Sequence, residues 1–127
     1  MKLLHICAIG STLKHLLRPQ IDHFRARGLI VEAACSPGPA VDELRRQGYV
    51  IHPVEIARRI RPVANLKSVQ ALTRVIARGR YDAVHVHTPA ASVFGRLAAA
   101  TAGVPHVLYT AHGFYFHDRM PALSYRA

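Results

Sequence analysis

The sequence predicts an α/β protein built on a doubly wound, mainly parallel sheet with strand order 3-2-1-4-5 and helices on both faces. Five short apolar segments alternate with segments whose apolar residues recur at three- and four-residue intervals, a pattern typical of βαβ units. Glycine, proline, serine and threonine stand between them, where turns and helix ends are expected. The chain has 127 residues, half of them hydrophobic, and we expect one Rossmann-like domain with its own core.

The bounds of the elements follow from the apolar runs and the turn residues. Strands are predicted at residues 2–9, 29–35, 49–54, 82–87 and 104–110. Helices are predicted at 13–27, at 40–47, over a longer segment ending at Gly79, and from Pro89 to Gly103, with a further helix beginning within 121–126. Pro19 is expected to kink the first helix or to restart it. Ser11 or Thr12 is expected to cap that helix with its side chain, and Thr88 the one that begins at Pro89.

The spacing of large apolar residues predicts which helix faces are buried. The expected core residues are Leu16, Leu17, Ile21 and Phe24 in the first helix, Leu66, Val69, Leu72 and Ile76 in the third, and Val93, Leu97, Ala100 and Thr101 in the fourth.

The charge of +10 favours an anionic partner, and 14 of the 17 basic residues are arginine, which suits phosphate oxygens. The same bias is also compatible with the composition of the genome. Arg58, Arg59 and Arg61 form a basic connection that is read as an anion or membrane contact, or as a solvated loop. The aromatic residues cluster elsewhere, near residue 115, so nucleic-acid binding is not expected.

The remaining composition excludes several classes of protein. No apolar run approaches the roughly 18 residues that a membrane span needs, and the start of the chain is read as a strand rather than a signal peptide. Cys7 and Cys35 each lie in an apolar segment, which favours buried free thiols in a reducing compartment. There is no Gly-x-Ser-x-Gly elbow and there are only seven acidic residues, so a self-contained hydrolase is poorly supported.

Three loops are predicted to meet at one crevice. In a sheet of this order the first and fourth strands are neighbours at the topological switch point, so the loop at Gly10 should lie beside His87 and Thr88. The loop that contains His112 follows the next strand. Gly10, Ser11 and Thr12 are expected to hold a phosphate at a helix N-terminus. They lack the dinucleotide-binding and P-loop spacings, however, and an ordinary capped turn is the alternative.

His85 and His87 point to the same face of the fourth strand. A metal site would need a third ligand, and His117 and Asp118 qualify only if their loop folds back, so no metal is predicted. We expect His85 to be a hydrogen-bonded interior residue and His87 to reach the crevice, where it would contact a sugar hydroxyl or titrate.

The segment 109–118 combines a glycine, two histidines and a run of aromatics directly after an apolar strand. Its glycine permits a tight turn, and aromatics beside a neutral histidine suit a ring-shaped, hydroxyl-rich ligand. A core strand followed by an aromatic-rich helix start is the alternative.

Several short motifs, in order, resemble the N-terminal domain of family-4 glycosyltransferases. They are IGSTL at 9–13, RPQI at 18–21, ACSPG at 34–38, HTPAASVFGRLA at 87–98, AGVP at 102–105 and YTAHGFYF at 109–116. The resemblance covers nearly the whole chain. It implies half of a GT-B architecture, in which two Rossmann-like domains enclose a cleft.

The resemblance also implies roles for particular residues. His112 would face the donor sugar and stabilise charge in the transition state, and the turn at Gly10 would approach the donor diphosphate. The acceptor pocket would be bordered by Gly113, Phe114, Tyr115 and His117. The nucleotide-sugar is then a substrate, and no cofactor is expected. The acceptor would be a polyprenyl-phosphate-linked or other glycan, used in polysaccharide or lipid-linked glycan synthesis by a cytoplasmic enzyme, peripheral at the inner membrane face.

The family's C-terminal domain, which carries most donor contacts, has no counterpart in these 127 residues. The chain is therefore expected to be a fragment, a truncated frame or one half of a split enzyme, inactive alone. A non-catalytic module that binds an anionic ligand or a partner subunit, and half of a nucleotide-sugar 2-epimerase, are the alternatives. The low acid count argues against the epimerase.

Overall fold

A computed structural model describes residues 1–57 and 61–110. Five strands form one sheet in the order β3-β2-β1-β4-β5, and every neighbouring pair is parallel. The strands are β1 (Lys2–Cys7), β2 (Ile30–Cys35), β3 (Ile51–Pro53), β4 (Ala83–His87) and β5 (His106–Thr110). The predicted fold class and strand order are confirmed, with each strand at or inside its predicted bounds.

Five α-helices connect the strands: α1 (Gly10–Thr12), α2 (Arg18–Ala26), α3 (Pro39–Arg46), α4 (Pro62–Gly79) and α5 (Pro89–Ala102). Between α1 and α2 the chain forms a π-helical turn, Leu13–Leu17. Pro19 lies in the first turn of α2, so the restart predicted there is confirmed. Within the described ranges no helix is long and apolar enough to cross a bilayer.

The two faces of the sheet are covered by different helices. Leu4, Ile6, Val84 and Val86 pack under α4 and α5, whereas the alternate residues of the same strands pack under the π-helical turn, α2 and α3. Because side chains alternate across a strand, one sheet supplies both cores.

The buried thiols belong to the second of these cores. Cys7 and Cys35 occupy paired positions on β1 and β2, and their sulfurs lie 3.7 Å apart. Both are free and fully buried, as predicted. The hydrogen bond to Cys35 and burial raise the pKa of the Cys7 thiol.

The predicted buried face of the last helix is wrong. Val93 and Leu97 are more than half exposed, and Ala100 and Thr101 are also exposed. The buried residues of α5 are small: Ala91, Ser92, Gly95, Ala98 and Ala99. A Cβ on Gly95 would stand 2.6 Å from Val86 Cγ1, so the helix backbone lies directly on the sheet. Because α5 lies so close to the sheet, only small residues fit on its buried face.

Other helix predictions are partly corrected. Leu17 and Ile21 are buried as predicted, and so are Leu72 and Ile76, but Leu16 and Leu66 are about half exposed or more. α4 ends at Gly79, as predicted, and the residue that follows it, Arg80, is left-handed with φ 52°. Gly79 makes room for the Tyr81 ring, which a Cβ at that position would overlap.

Candidate functional site

The carboxyl ends of β1 and β4 are neighbours, as the predicted crevice requires. Leu3 to Ile6 of β1 pair with Ala83 to Val86 of β4, so Gly10 and Thr88 follow adjacent strands at the same edge of the sheet. We call this edge the carboxyl edge. It is the position at which open α/β sheets bind ligands.

Gly10, Ser11 and Thr12 are the first turn of a helix rather than a turn that precedes one. Ile9 is the N-cap residue, and no side chain caps the helix, so the predicted cap at Ser11 or Thr12 is wrong. The amides of a first turn lack intrahelical acceptors and remain available to an anion. A Cβ on Gly10 would stand 3.2 Å from Ala40 Cβ and 3.3 Å from Val41 Cγ2, so glycine lets the turn approach α3 closely.

Three imidazoles lie together beneath the carboxyl edge. His5 of β1 is paired in register with His85 of β4, and His87 lies two residues further along β4 on the same face. The ring centroids of His85 and His87 are 4.0 Å apart, and the His5 ring lies 5.2 Å and 5.1 Å from them. We call these residues the histidine cluster.

Hydrogen bonds connect the cluster internally and to β5. His5 Nδ1 lies 2.9 Å from His87 Nε2, and His85 Nε2 lies 2.6 Å from the Thr110 hydroxyl. Burial, and then the electrostatic effect of the neighbouring His85, lower the pKa of His5 to about 3. His5 is therefore neutral at physiological pH.

His85 is a hydrogen-bonded interior residue, as predicted, whereas His87, which was predicted to reach the crevice, is buried. His87 has no exposed surface, and its Nε2 lies 2.9 Å from His5 Nδ1. A role for His87 as an acceptor contact stays a prediction. His5 was missed because a single histidine in an apolar strand looks like an ordinary core residue. The pairing of the first and fourth strands, which places it opposite His85, is the signal that reveals it.

The histidine cluster also supplies the third ligand that a metal site would need. One ligand nitrogen from each of His5, His85 and His87 lies within 4.8 Å of the others, and all three residues are buried. The group contains no carboxylate to offset the charge of a cation in the interior. Three imidazoles are a ligand set that suits zinc, and within the described residues no carboxylate joins them.

Thr88 follows the cluster in an unusual backbone conformation. Its φ of 70° and ψ of 148° lie in a region that a β-branched residue rarely adopts, and Pro89 restricts it further. Its carbonyl accepts the Ser92 amide at 2.9 Å, so Thr88 is the N-cap residue of α5. The predicted side-chain cap is nevertheless wrong, since the hydroxyl is buried and has no hydrogen-bond partner in the described part of the chain. Strained residues of this kind collect at functional sites.

Seven of the predicted site residues lie outside the described residues: Arg58, Arg59, His112, Gly113, Phe114, Tyr115 and His117. Their roles stay predictions. Arg61 is described, and it is exposed at the start of α4. With Lys67 and the buried Ser68 it lines a cavity of about 920 Å³ beyond the end of β3.

A second polar cluster lies at the opposite, amino-terminal edge of the sheet. The Glu32 carboxylate accepts a hydrogen bond from the Tyr81 hydroxyl at 2.6 Å and lies 2.8 Å from His52 Nε2. Burial raises the pKa of Glu32, but these hydrogen bonds and the charge of Lys2 outweigh it, so the pKa is lowered overall. Because its groups satisfy one another, we assign this cluster to stability.

Comparison with known proteins identifies the family. The model of the family described as "Glycosyl transferase 4-like" matches residues 5–126. A putative glycosyltransferase from Bacillus subtilis, EpsD, is 34% identical over 125 residues, which cover 94% of this chain and 31% of the relative. The Escherichia coli enzyme named UDP-Gal:alpha-D-GlcNAc-diphosphoundecaprenol alpha-1,3-galactosyltransferase is 35% identical over 81 residues, or 64% of this chain and 21% of the relative.

Solved structures share the fold at lower identity. A glycosyltransferase from Rickettsia africae superposes with a TM-score of 0.75 at 18% identity, covering 93% of this chain and 31% of that one. A UDP-GlcNAc 2-epimerase from Neisseria meningitidis superposes with a TM-score of 0.69 at 16% identity, covering 93% and 34%. The fold alone thus suits both classes of enzyme.

The chain spans between about a fifth and a third of the length of the curated relatives it matches. The family match nevertheless extends over almost all of its residues, including the carboxyl edge and the segment that follows β5. On this match, the chain belongs to the glycosyl transferase 4-like family.

Proposed function

We propose that this chain is the acceptor-side half of a retaining glycosyltransferase that uses a nucleotide-sugar in polysaccharide or lipid-linked glycan synthesis. The observation that carries the proposal is the juxtaposition of Gly10 and Thr88 at the carboxyl edge of a parallel sheet. Family membership supplies the class of reaction. A second Rossmann-like domain completes the cleft, and alone the chain transfers no sugar.

The donor diphosphate binds at the first turn of α1. The amides of Gly10, Ser11 and Thr12 lie at the positive end of a helical segment that continues through Leu17. Gly10 keeps this turn close to α3, and a side chain there would have to displace Ala40 and Val41. The donor is a substrate, and the transfer uses no further cofactor.

His112 acts on the donor sugar. It follows Thr110, the last residue of β5, by two positions, and β5 lies beside β4 in the sheet. An imidazole near the reacting carbon stabilises charge that develops in the transition state. Gly113, Phe114, Tyr115 and His117 border the acceptor.

The acceptor carries a polyprenyl phosphate, and the enzyme is cytoplasmic and peripheral at the inner membrane face. The E. coli relative is named for a diphosphoundecaprenol-linked acceptor. The charge of +10 and the basic segment of Arg58, Arg59 and Arg61 suit both an anionic bilayer and a phosphate group. Nucleic acid is not a partner.

The test is a single substitution in the complete protein that contains this chain. His112→Ala should lower kcat for sugar transfer to a polyprenyl-diphosphate-linked acceptor by about a hundredfold or more, with little change in stability. His106→Ala is the matched control, because His106 is an exposed histidine at the far end of β5, and its rate should stay within about twofold.

Equal rates in the two variants would overturn the role of His112. Transfer by the 127-residue chain alone would overturn the claim that a second domain is required. Conversion of the nucleotide-sugar to its 2-epimer, with no transfer, would assign the complete protein to the epimerases.

A further inference from the structure

The histidine cluster has no part in the chemistry assigned above to the carboxyl edge. His5, His85 and His87 are nevertheless buried together, and histidines are costly to place in an interior unless their nitrogens are satisfied. The cluster lies directly beneath the strand ends from which the proposed cleft residues extend.

The contact between His5 and His87 restricts both rings. The 2.9 Å separation of His5 Nδ1 and His87 Nε2 leaves room for one proton, so one nitrogen donates and the other accepts. His5 stays neutral, because burial disfavours its charged form and lowers its pKa to about 3. Each ring is therefore held in the tautomer that the other requires.

The other nitrogen of His5 indicates which tautomer this is. His5 Nε2 is buried and has no hydrogen-bond partner in the described part of the chain. A buried N–H without an acceptor is rarer in proteins than a bare acceptor, so the His5 proton belongs on Nδ1. His5 then donates to His87 Nε2, and a neutral His87 carries its own proton on Nδ1.

The cluster also connects three strand ends. His87 is the last residue of β4, so its backbone leads directly into the strained Thr88 at the start of α5. His85 Nε2 lies 2.6 Å from the hydroxyl of Thr110, the last residue of β5. His5 belongs to β1, which leads to the first turn at Gly10.

We propose that His5 is a positioning residue of the transfer cleft, which holds His87 as its Nδ1-protonated tautomer and thereby fixes the carboxyl end of β4 against β1. With His85, which lies 2.6 Å from the Thr110 hydroxyl, it sets the relative positions of the Gly10 turn, Thr88 and Thr110. The proposal rests on the proposed function for its catalytic consequence, but the tautomer is a property of this chain alone.

The first measurement is the protonation state of the His87 ring nitrogens, read from ¹⁵N chemical shifts in the 127-residue chain. In the wild type we expect a bare Nε2 and a protonated Nδ1. His5→Asn should keep this state, because the Asn amide can donate from nearly the same position as Nδ1. His5→Leu removes the donor to His87 Nε2, so the population with an unprotonated Nε2 should fall.

His15→Asn is the control, because His15 is exposed on the π-helical turn and should leave the His87 signals unchanged. A protonated His87 Nε2 in the wild type, or an unchanged tautomer in His5→Leu, would overturn the proposal. A stoichiometric shift of all three imidazoles on addition of Zn²⁺ would also overturn it, because the cluster would then be a metal site.

The second measurement is sugar transfer by the complete protein. His5→Leu should lower kcat by about tenfold or more with a small change in donor KM, whereas His5→Asn should stay within about threefold of the wild type. Equal losses in both variants would indicate a merely structural role. A normal rate in His5→Leu would overturn only the positioning role, whereas a wild type that transfers no sugar would overturn the proposed function.

Discussion

His5 gives the described part of the chain a distinctive dependence on pH. Burial and the neighbouring His85 lower its pKa from 6.5 to about 3 in the folded state. Between these values the unfolded chain binds a proton that the folded chain does not. The free energy of unfolding therefore falls as the pH falls through this window, by about 1.4 kcal/mol per pH unit from this residue.

Urea denaturation at pH 6.5 and pH 5 tests this contribution of His5 to the free energy of unfolding. The wild type should lose about 2 kcal/mol more stability between these values than His5→Asn, since the other titrating groups are common to both proteins. His15→Asn should follow the wild type. Parallel losses in the wild type and His5→Asn would show that His5 is protonated in the folded protein.

For single residues, the sequence predicted which strand face a side chain lies on, but not which partner its ring contacts. Alternation along the fourth strand correctly placed His85 in the interior, because strand geometry alone decides the face. The alternation could not predict that His87 contacts His5, because that contact depends on a residue of another strand. The positive φ of Thr88 was equally unpredictable, because a threonine before a proline favours extended backbone.

Among the elements, α5 depends on the absence of a side chain at Gly95 for its contact with the sheet. Gly95 lies against Val86 of β4, with Ile6 of β1 as the next neighbour of an added Cβ. In an exposed helix, Gly→Ala would stabilise by about 1 kcal/mol through helix propensity. Here the added methyl group would force the helix away from the sheet, and we expect the overpacking to dominate.

Gly95→Ala should therefore lower the free energy of unfolding by about 1–3 kcal/mol, measured by urea denaturation. Val93→Ala is the control on the exposed face of the same helix, and it should change stability by less than about 0.5 kcal/mol. A Gly95→Ala variant as stable as the wild type would contradict the close contact between α5 and the sheet.

Element types and order could be predicted because apolar runs, prolines and glycines mark them locally. The buried face of α5 could not be predicted from large apolar residues, since contact with the sheet selects alanine, serine and glycine. The start of α1 was misplaced for a related reason. In the sequence Gly10 looks like a glycine of a turn. In the structure it is the first residue of α1, and its lack of a side chain lets the helix approach Ala40 and Val41.

At the scale of the whole molecule, the proposed cleft and the polar cluster of Glu32 lie at opposite edges of the sheet. This separation follows from parallel strands, whose carboxyl ends all share one edge. The strand order was predictable because alternating strands and helices leave few topologies open.

The most direct test of the cleft is an NMR titration of the ¹⁵N-labelled chain with a nucleotide-sugar. We predict amide shifts confined to the carboxyl edge, at Gly10, Ser11 and Thr12 and at the start of α5 after Thr88. Gly10→Val should abolish them, because its side chain would displace Ala40 and Val41. Shifts centred on the opposite edge, around Lys2, Glu32 and Arg78, or no shifts at millimolar ligand, would contradict the assignment of the cleft.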